Sequence, residues 1–241
     1  MTEWFEQWFG EEYLHLYPHR DDEDAANLTA LISRHVSLDG CRILDLACGP
    51  GRHATHFYAR GADVVGFDLS MPLLSLAKHR NGAARPVLVR GDMRRLPFRD
   101  RAFDVVVNLF TSFGYFADDE QHAVVVQRAA AALRPGGCFV LDYLNASTVR
   151  TSLVPCEETR VGERLVSVKR RITDDDRYVV KEIHLADQGR SFVERVRLFT
   201  PGDLEHLLAA TGLVVHHRFG DYGGGELTVS SPRAILFAVK T

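Results

Sequence analysis

The sequence predicts an α/β fold: a parallel sheet with helices on its faces, carrying an antiparallel layer inserted late in the chain. Three observations predict it. Between residues 25 and 143, short apolar runs alternate with helical stretches, the signature of βαβ units. Residues 103–109 (FDVVVNL) are apolar on both faces, as a central parallel strand is. Over residues 156–200 the pattern becomes an apolar and polar alternation broken by polar turns, which predicts an antiparallel meander.

Taken in order, residues 25–36 read as a helix, 42–47 (RILDLA) as the first strand and 53–60 as a helix closed by Gly61. Residues 63–67 (DVVGF) form the second strand, and Ser70 with Pro72 starts a helix over 71–80. Residues 86–90 make the third strand, 103–109 the fourth, 119–133 a helix and 138–143 the fifth strand. VSVKRRI, YVVKEIHLA and FVERVRLFT supply the meander, with turns at 173–176 and 187–189. Thr200 and Pro201 cap and open a helix over 203–210 that ends at Gly212. Strands at 213–219 and 233–239 then bracket the glycine-rich turn 223–225.

Composition narrows the function classes. With 241 residues, 46% hydrophobic and 25% charged, the chain suits one main core and is neither disordered nor fibrous. Its longest stretch without Asp, Glu, Lys or Arg is 13 residues, 105–117, against the ~18 to 20 that a membrane-spanning helix needs. The N-terminus (MTEWFEQWFGEE) lacks the basic flank and apolar run of a secretory signal, so a cytoplasmic protein is expected. Cys41, Cys48, Cys138 and Cys156 form no C-x-x-C pair and no zinc-like spacing, which reads as reduced thiols. The net charge is 29 minus 32, or −3, leaving no basic excess to hold a nucleic-acid backbone. The expected partner is a small-molecule acceptor, with no nucleic acid or membrane, for a monomer or homodimer. Five arginines over 90–101 read as a solvated loop.

The chemistry sits where the first strand runs into DLACGPG, residues 45–51, and then into a helix. Ligands of open α/β sheets bind at that carboxyl end. Gly49-Pro50-Gly51-Arg52-His53-Ala54 also satisfies G-x-G-x-x-A, and Asp68 ends the next strand, so the pattern alone does not separate a dinucleotide from other nucleosides. Charge separates them. A pyrophosphate on this turn would meet Asp45, four residues before Gly49, and Pro50 removes one N–H donor. A ligand with an ammonium group and no phosphate suits the loop better. S-adenosylmethionine is such a ligand, with its amine near Asp45, its ribose diol on Asp68 and its adenine beyond. Asp92 in GDM, 24 residues after Asp68 and just past the third strand, is placed to accept from the adenine amino group, with Met93 packing on the ring. Each acid alone reads equally well as a loop-capping aspartate; three at successive strand ends point to the cofactor.

On these motifs the sequence resembles the class I S-adenosylmethionine-dependent methyltransferases. DLACGPG (with Asp45, Ala47, Gly49 and Gly51) matches their glycine-rich motif and GFDLS (Asp68, Leu69) their ribose-binding acid. GDM (Asp92, Met93) matches the adenine-side acid, FDVVVNLFTSFGY (Asn108) the fourth strand and its loop, and LRPGG the turn before strand five. The late meander and YLHLY, residues 13–17, resemble the small-molecule branch that includes aminosugar N,N-dimethyltransferases and glycine N-methyltransferases; Leu14 departs from that branch's YDxxY.

The resemblance implies a Rossmann-like seven-stranded sheet with its last strand antiparallel. It implies an N-terminal helical lid over residues 1–24, with Tyr17 and Arg20 at the methionine end and Arg20 on the carboxylate. Residues 25–150 and 201–241 would form the cofactor domain, and 151–200 an antiparallel layer shaping the acceptor site. The implied reaction is N- or O-methylation by in-line transfer, with S-adenosylmethionine as cofactor and no metal. Tyr13, His15, Tyr115 and Tyr143 are the acceptor-side candidates for moving a proton. His53 and His56 read as surface or capping histidines, Cys48 as a packed thiol, and Asp142 with Asn145 as two oxygen ligands lacking a third. An RNA or protein methyltransferase and a non-catalytic cofactor-binding scaffold are the rival readings.

Overall fold

The computed structural model describes residues 3–17, 22–80 and 86–241. Two short helices, α1 (Trp4–Trp8) and α2 (Glu11–Leu16), separated by Phe9 and Gly10, precede α3 (Asp22–His35). Helix α3 starts three residues before its apolar spacing does, because Asp22, Glu23 and Asp24 occupy its first turn, where carboxylates favour the helix dipole. Then follow β1 (Arg42–Leu46), α4 (Arg52–Tyr58), β2 (Asp63–Asp68), α5 (Met71–Arg80), β3 (Val87–Arg90), β4 (Phe103–Asn108), α6 (Asp119–Ala132) and β5 (Leu133–Leu144). Helix α7 (Ala146–Ser152) leads to four strands, β6 (Cys156–Val161), β7 (Arg164–Ile172), β8 (Tyr178–Leu185) and β9 (Arg190–Arg197). The chain closes with α8 (Pro201–Ala209), β10 (Leu213–Phe219) and β11 (Arg233–Lys240).

Seven strands form one sheet in the order β10-β11-β5-β4-β1-β2-β3. The last strand, β11, runs antiparallel to both β5 and β10, while β5, β4, β1, β2 and β3 are parallel. Chain order reverses between β1 and β4, the switch point at which open sheets leave a crevice. Each face of the sheet is buried. Leu44, Leu46, Phe67, Phe103 and Phe139 join one core with α6 and α8; Ile43, Val105, Val107 and Val140 join another with Leu28, Leu31 and Ile32 of α3. Strand β5 begins earlier than predicted. Leu133 pairs with Phe103 and Cys138 with Val105, so the LRPGG segment bulges inside the strand instead of preceding it.

The four later strands form a separate antiparallel sheet, β6-β7-β8-β9. Its apolar face, Val166, Val168, Ile183, Leu185 and Phe192, packs on Trp8, Tyr13 and Leu16, so α1 and α2 lie between this sheet and the rest of the molecule. Trp8 is 1% exposed, and its Nε1 donates to Glu194 Oε1 at 2.6 Å. Glu12 pairs with Arg164 at 3.0 Å and with Arg190 at 3.2 Å. These ion pairs hold α2 against the second sheet. Replacing Trp8 with Ala removes a buried anchor shared by helix and sheet, and thermal unfolding should show a loss of about 3 to 5 kcal/mol. A loss below about 1 kcal/mol would contradict this packing.

Candidate active site

Strands β1, β2 and β3 are neighbours running the same way, so their carboxyl ends bring Asp45, Asp68 and Asp92 to one edge of the sheet. A cavity of about 390 Å³ covers them. Asp45, Ala47, Cys48, Gly49 and Pro50 line it from the first turn, Asp68, Leu69 and Ser70 after β2, and Asp92 and Met93 after β3. Arg52 and His53 reach it from the start of α4, and Leu109, Phe110, Ser112, Tyr115 and Phe116 from the loop after β4. Helices α1 and α2 add Phe5, Glu6 and Tyr13, and the turn between them adds Phe9.

The glycine turn is built from left-handed residues: Ala47 has φ 57°, Gly49 54° and Gly51 72°. Asp68 fixes it. One carboxylate oxygen accepts from Gly49 N at 2.8 Å and the other from Ser70 N at 2.7 Å, each leaving a lone pair for a ligand hydroxyl. Burial raises the Asp68 carboxyl above its ordinary range, partly offset by these N–H donors.

Asp45 is more exceptional. It is 1% exposed, and Oδ2 has no hydrogen-bond donor among the described residues. Burial, reinforced by the Asp68 charge and opposed by Arg52, pushes its carboxyl up to about 8. A buried carboxyl oxygen facing a cavity without a donor fits a ligand that brings an ammonium or N–H group, so the residues present suit the amino acid end of S-adenosylmethionine. Asp92 is differently placed: Arg94 grips both its oxygens, with Nε at 3.0 Å from Oδ1 and Nη2 at 2.6 Å from Oδ2. Burial alone would raise the Asp92 carboxyl, but the hydrogen bonds and charge of Arg94 outweigh it and hold it below the usual range. Arg94 continues to Glu3 at 3.3 Å, so the adenine-side acid is tied to the N-terminal segment. The other arginines of that cluster, Arg90, Arg95, Arg99 and Arg101, are exposed.

Several expected site residues lie elsewhere. Tyr143 does not reach the cavity: it is fully buried, its hydroxyl donates to Arg197 O, and burial raises it far above an ordinary phenol. His15 is exposed on α2 and does not line the cavity. Tyr17 stands outside it too, its hydroxyl accepting from Lys181, and Arg20 lies outside the described residues. Gly51 caps α4 without lining the cavity, and Asn108 supports the turn from below, Nδ2 donating to Leu46 O at 3.1 Å. Among the described residues, none of 151–200 lines the cavity; the second sheet meets it through α1, α2 and the loop after β4. Asp142 and Asn145 are not paired ligands, since Asp142 bonds Arg233 and Tyr222 while Asn145 bonds Thr228 O and Ser231 O.

Sequence reasoning missed Arg52, Phe110 and His53. His53, expected to be a surface or capping histidine, is 5% exposed, and burial beside Arg52 lowers it to about 3. The G-x-G-R-H run held the signal, because residues opening a helix after a strand-end turn face the ligand crevice.

The sign of the Asp45 shift sets a pH dependence. Its folded value is raised from 3.8 to about 8, so its contribution to stability is fully present below 3.8 and is lost as pH rises through about 8. The stability advantage of Asp45→Asn over the unsubstituted protein should therefore grow by up to about 1.4 kcal/mol per pH unit across that interval and then level off. An advantage independent of pH would contradict it.

Comparison with known proteins agrees with this geometry. A family profile described as a methyltransferase domain matches residues 43–137. The dTDP-3-amino-3,4,6-trideoxy-alpha-D-glucopyranose N,N-dimethyltransferase of Streptomyces venezuelae is 31% identical over 218 residues, 87% of this chain and 90% of the relative. The cypemycin N-terminal methyltransferase of a Streptomyces species is 36% identical over 226 residues, 88% of each chain. Among solved structures, CalS10, an amino pentose methyltransferase from Micromonospora echinaspora with S-adenosylmethionine bound, superposes with a TM-score of 0.69 at 26% identity, covering 95% of this chain and 96% of its own. With relatives alike over nearly their whole length, a switch-point cavity and acids fitted to an amino acid nucleoside, this chain belongs to the S-adenosylmethionine-dependent methyltransferases.

Proposed function

We propose that the enzyme methylates an amine nitrogen of a small-molecule acceptor that binds against the loop after β4 and helices α1 and α2. The observation carrying this reading is the ring-lined wall of the cavity. Phe9 stacks on Tyr115 with centroids 5.5 Å apart, Tyr13 meets Phe9 edge-on at 5.0 Å, and Glu6 adds a carboxylate to the same wall. Methylating an amine builds positive charge on nitrogen, which ring faces and a carboxylate both favour. The relatives whose names specify N,N-dimethylation of an amino sugar and N-terminal methylation support the amine.

Bound in this cavity, S-adenosylmethionine supplies an electrophilic methyl carbon together with its own leaving group. The protein's work is positioning and drying. Asp45 offers its donor-less oxygen to the ammonium, and Asp68 its remaining lone pairs to the ribose hydroxyls. Asp92, already held by Arg94, and Met93 define the adenine end. Residues 25–150 and 201–241 carry this half of the site. In the lid segment, residues 1–24, it is α1 and α2 that close the cavity, and residues 151–200 shape the acceptor side by holding those two helices. Tyr13 and Tyr115 are the acceptor candidates that line the cavity. We place the enzyme in the cytoplasm, as a monomer or homodimer.

The test is release of S-adenosylhomocysteine across an acceptor panel. Amino sugars should turn over and their hydroxyl counterparts should not; turnover with hydroxyl acceptors alone would contradict the amine. A peptide with a free N-terminus is included because the cypemycin enzyme is 36% identical, and exclusive turnover of that peptide would transfer the assignment to a peptide amine. Asp68→Asn keeps an acceptor for the turn but removes the charge facing the cavity, and calorimetry should show S-adenosylmethionine bound at least about tenfold more weakly, ~1.4 kcal/mol. Unchanged affinity would overturn the role of Asp68.

A further inference from the structure

A buried ion pair stands behind the cavity. Asp142, 0% exposed on β5, accepts from Arg233 Nε at 2.8 Å and from Tyr222 Oη at 3.0 Å. It also accepts from Phe110 N at 2.8 Å, while its own carbonyl accepts from Thr111 N at 3.0 Å and Arg233 Nη2 donates to Thr111 Oγ1 at 2.9 Å. These bonds converge on two consecutive non-glycine residues held in the left-handed region, Phe110 at φ 58° and Thr111 at φ 59°. A β-branched residue adopts that conformation only when its surroundings impose it. The imposed geometry has one product at the cavity: the Phe110 ring, which lies 4.7 Å from the guanidinium carbon of Arg52 and 5.7 Å from that of Arg233. Arg52, 8% exposed, lines the cavity together with Asp45.

We propose that the Asp142–Arg233 pair positions Phe110 so that its ring holds the Arg52 guanidinium at the amino acid end of the cavity, where Arg52 receives the cofactor's carboxylate while Asp45 receives its ammonium. An amino acid zwitterion is then read by one acid and one base. Arg52 is the contact residue, in the role that the family resemblance implies for Arg20; Phe110, Arg233 and Asp142 are positioning residues that act through it. The strained loop is thereby tied to cofactor binding as well as to the acceptor. The proposal rests on the cofactor reading above.

The test compares S-adenosylmethionine with decarboxylated S-adenosylmethionine, which lacks only the carboxylate, by calorimetric titration. Arg52→Lys and Phe110→Leu should each weaken S-adenosylmethionine about tenfold while changing the decarboxylated ligand less than about twofold. The double variant should lose little more than either single, as expected of residues acting in series. Arg233→Lys keeps a charge for Asp142 but loses the fork to Thr111, and should show the same selective loss at about threefold. If Arg233→Lys does not fold, Tyr222→Phe, which deletes one hydrogen bond to Asp142, carries that arm. Equal weakening of both ligands, unchanged affinity in Phe110→Leu, or additive losses in the double variant would overturn the proposal. An unsubstituted protein that binds neither ligand would overturn the cofactor reading itself, and this proposal with it.

Discussion

The site depends on a carboxyl group that the fold buries and leaves short of a donor. Asp45 sits near the end of a central strand, 1% exposed, with Asp68 raising its cost and no donor on Oδ2 among the described residues. Folding tolerates such a group only where the rest of the structure over-determines it. Here β1 is paired on both sides, to β2 and β4, and the left-handed turn after it is fastened to Asp68 through Gly49 N. The energetic deficit becomes a binding preference: a ligand that brings a cationic N–H donor to this spot relieves it.

The remaining walls come from segments far apart in sequence. The loop after β4 is held along its length, with Phe110 N on Asp142, Gly114 O accepting from Arg197 N, Tyr115 O from Trp4 Nε1, and Phe116 N donating to His122. Gly114, at φ 91°, could carry no side chain, since a Cβ there would stand 2.4 Å from the Tyr143 hydroxyl. Tyr143, set aside as an acceptor group, thus supports the loop by filling the space beneath it. Through Arg197, Trp4 and Trp8 the loop and the N-terminal helices are joined to the second sheet, which is thereby connected to the cavity walls.

Much of the main sheet was legible because parallel strands buried on both faces are continuous apolar runs, and the strand-end acids stand out against them. Elements without that contrast were not. Strand β6 (Cys156–Val161) is exposed along nearly its whole length and is held by backbone pairing to β7, so it has no buried face to single it out as a strand within the alternating stretch 156–200. Helix α7 (Ala146–Ser152) consists largely of weak helix formers and is started by Asn145, which caps Ser147 N at 3.1 Å. Within the site, Asp45, Asp68 and Asp92 follow from position at strand ends alone. The direction of an aromatic or histidine side chain is set by distant partners, so Tyr143 and His15 fell outside the cavity while Arg52, His53 and Phe110 came in.

The central claim, that Asp45 waits protonated for a cationic amine, is tested most directly by the protons exchanged on cofactor binding. S-adenosylmethionine would be titrated at about pH 6.5, where a carboxyl raised to about 8 is still protonated, in buffers of different ionisation enthalpy. The account predicts release of close to one proton per molecule bound, and none from Asp45→Asn. Binding without proton release, or equal release from Asp45→Asn, would contradict it.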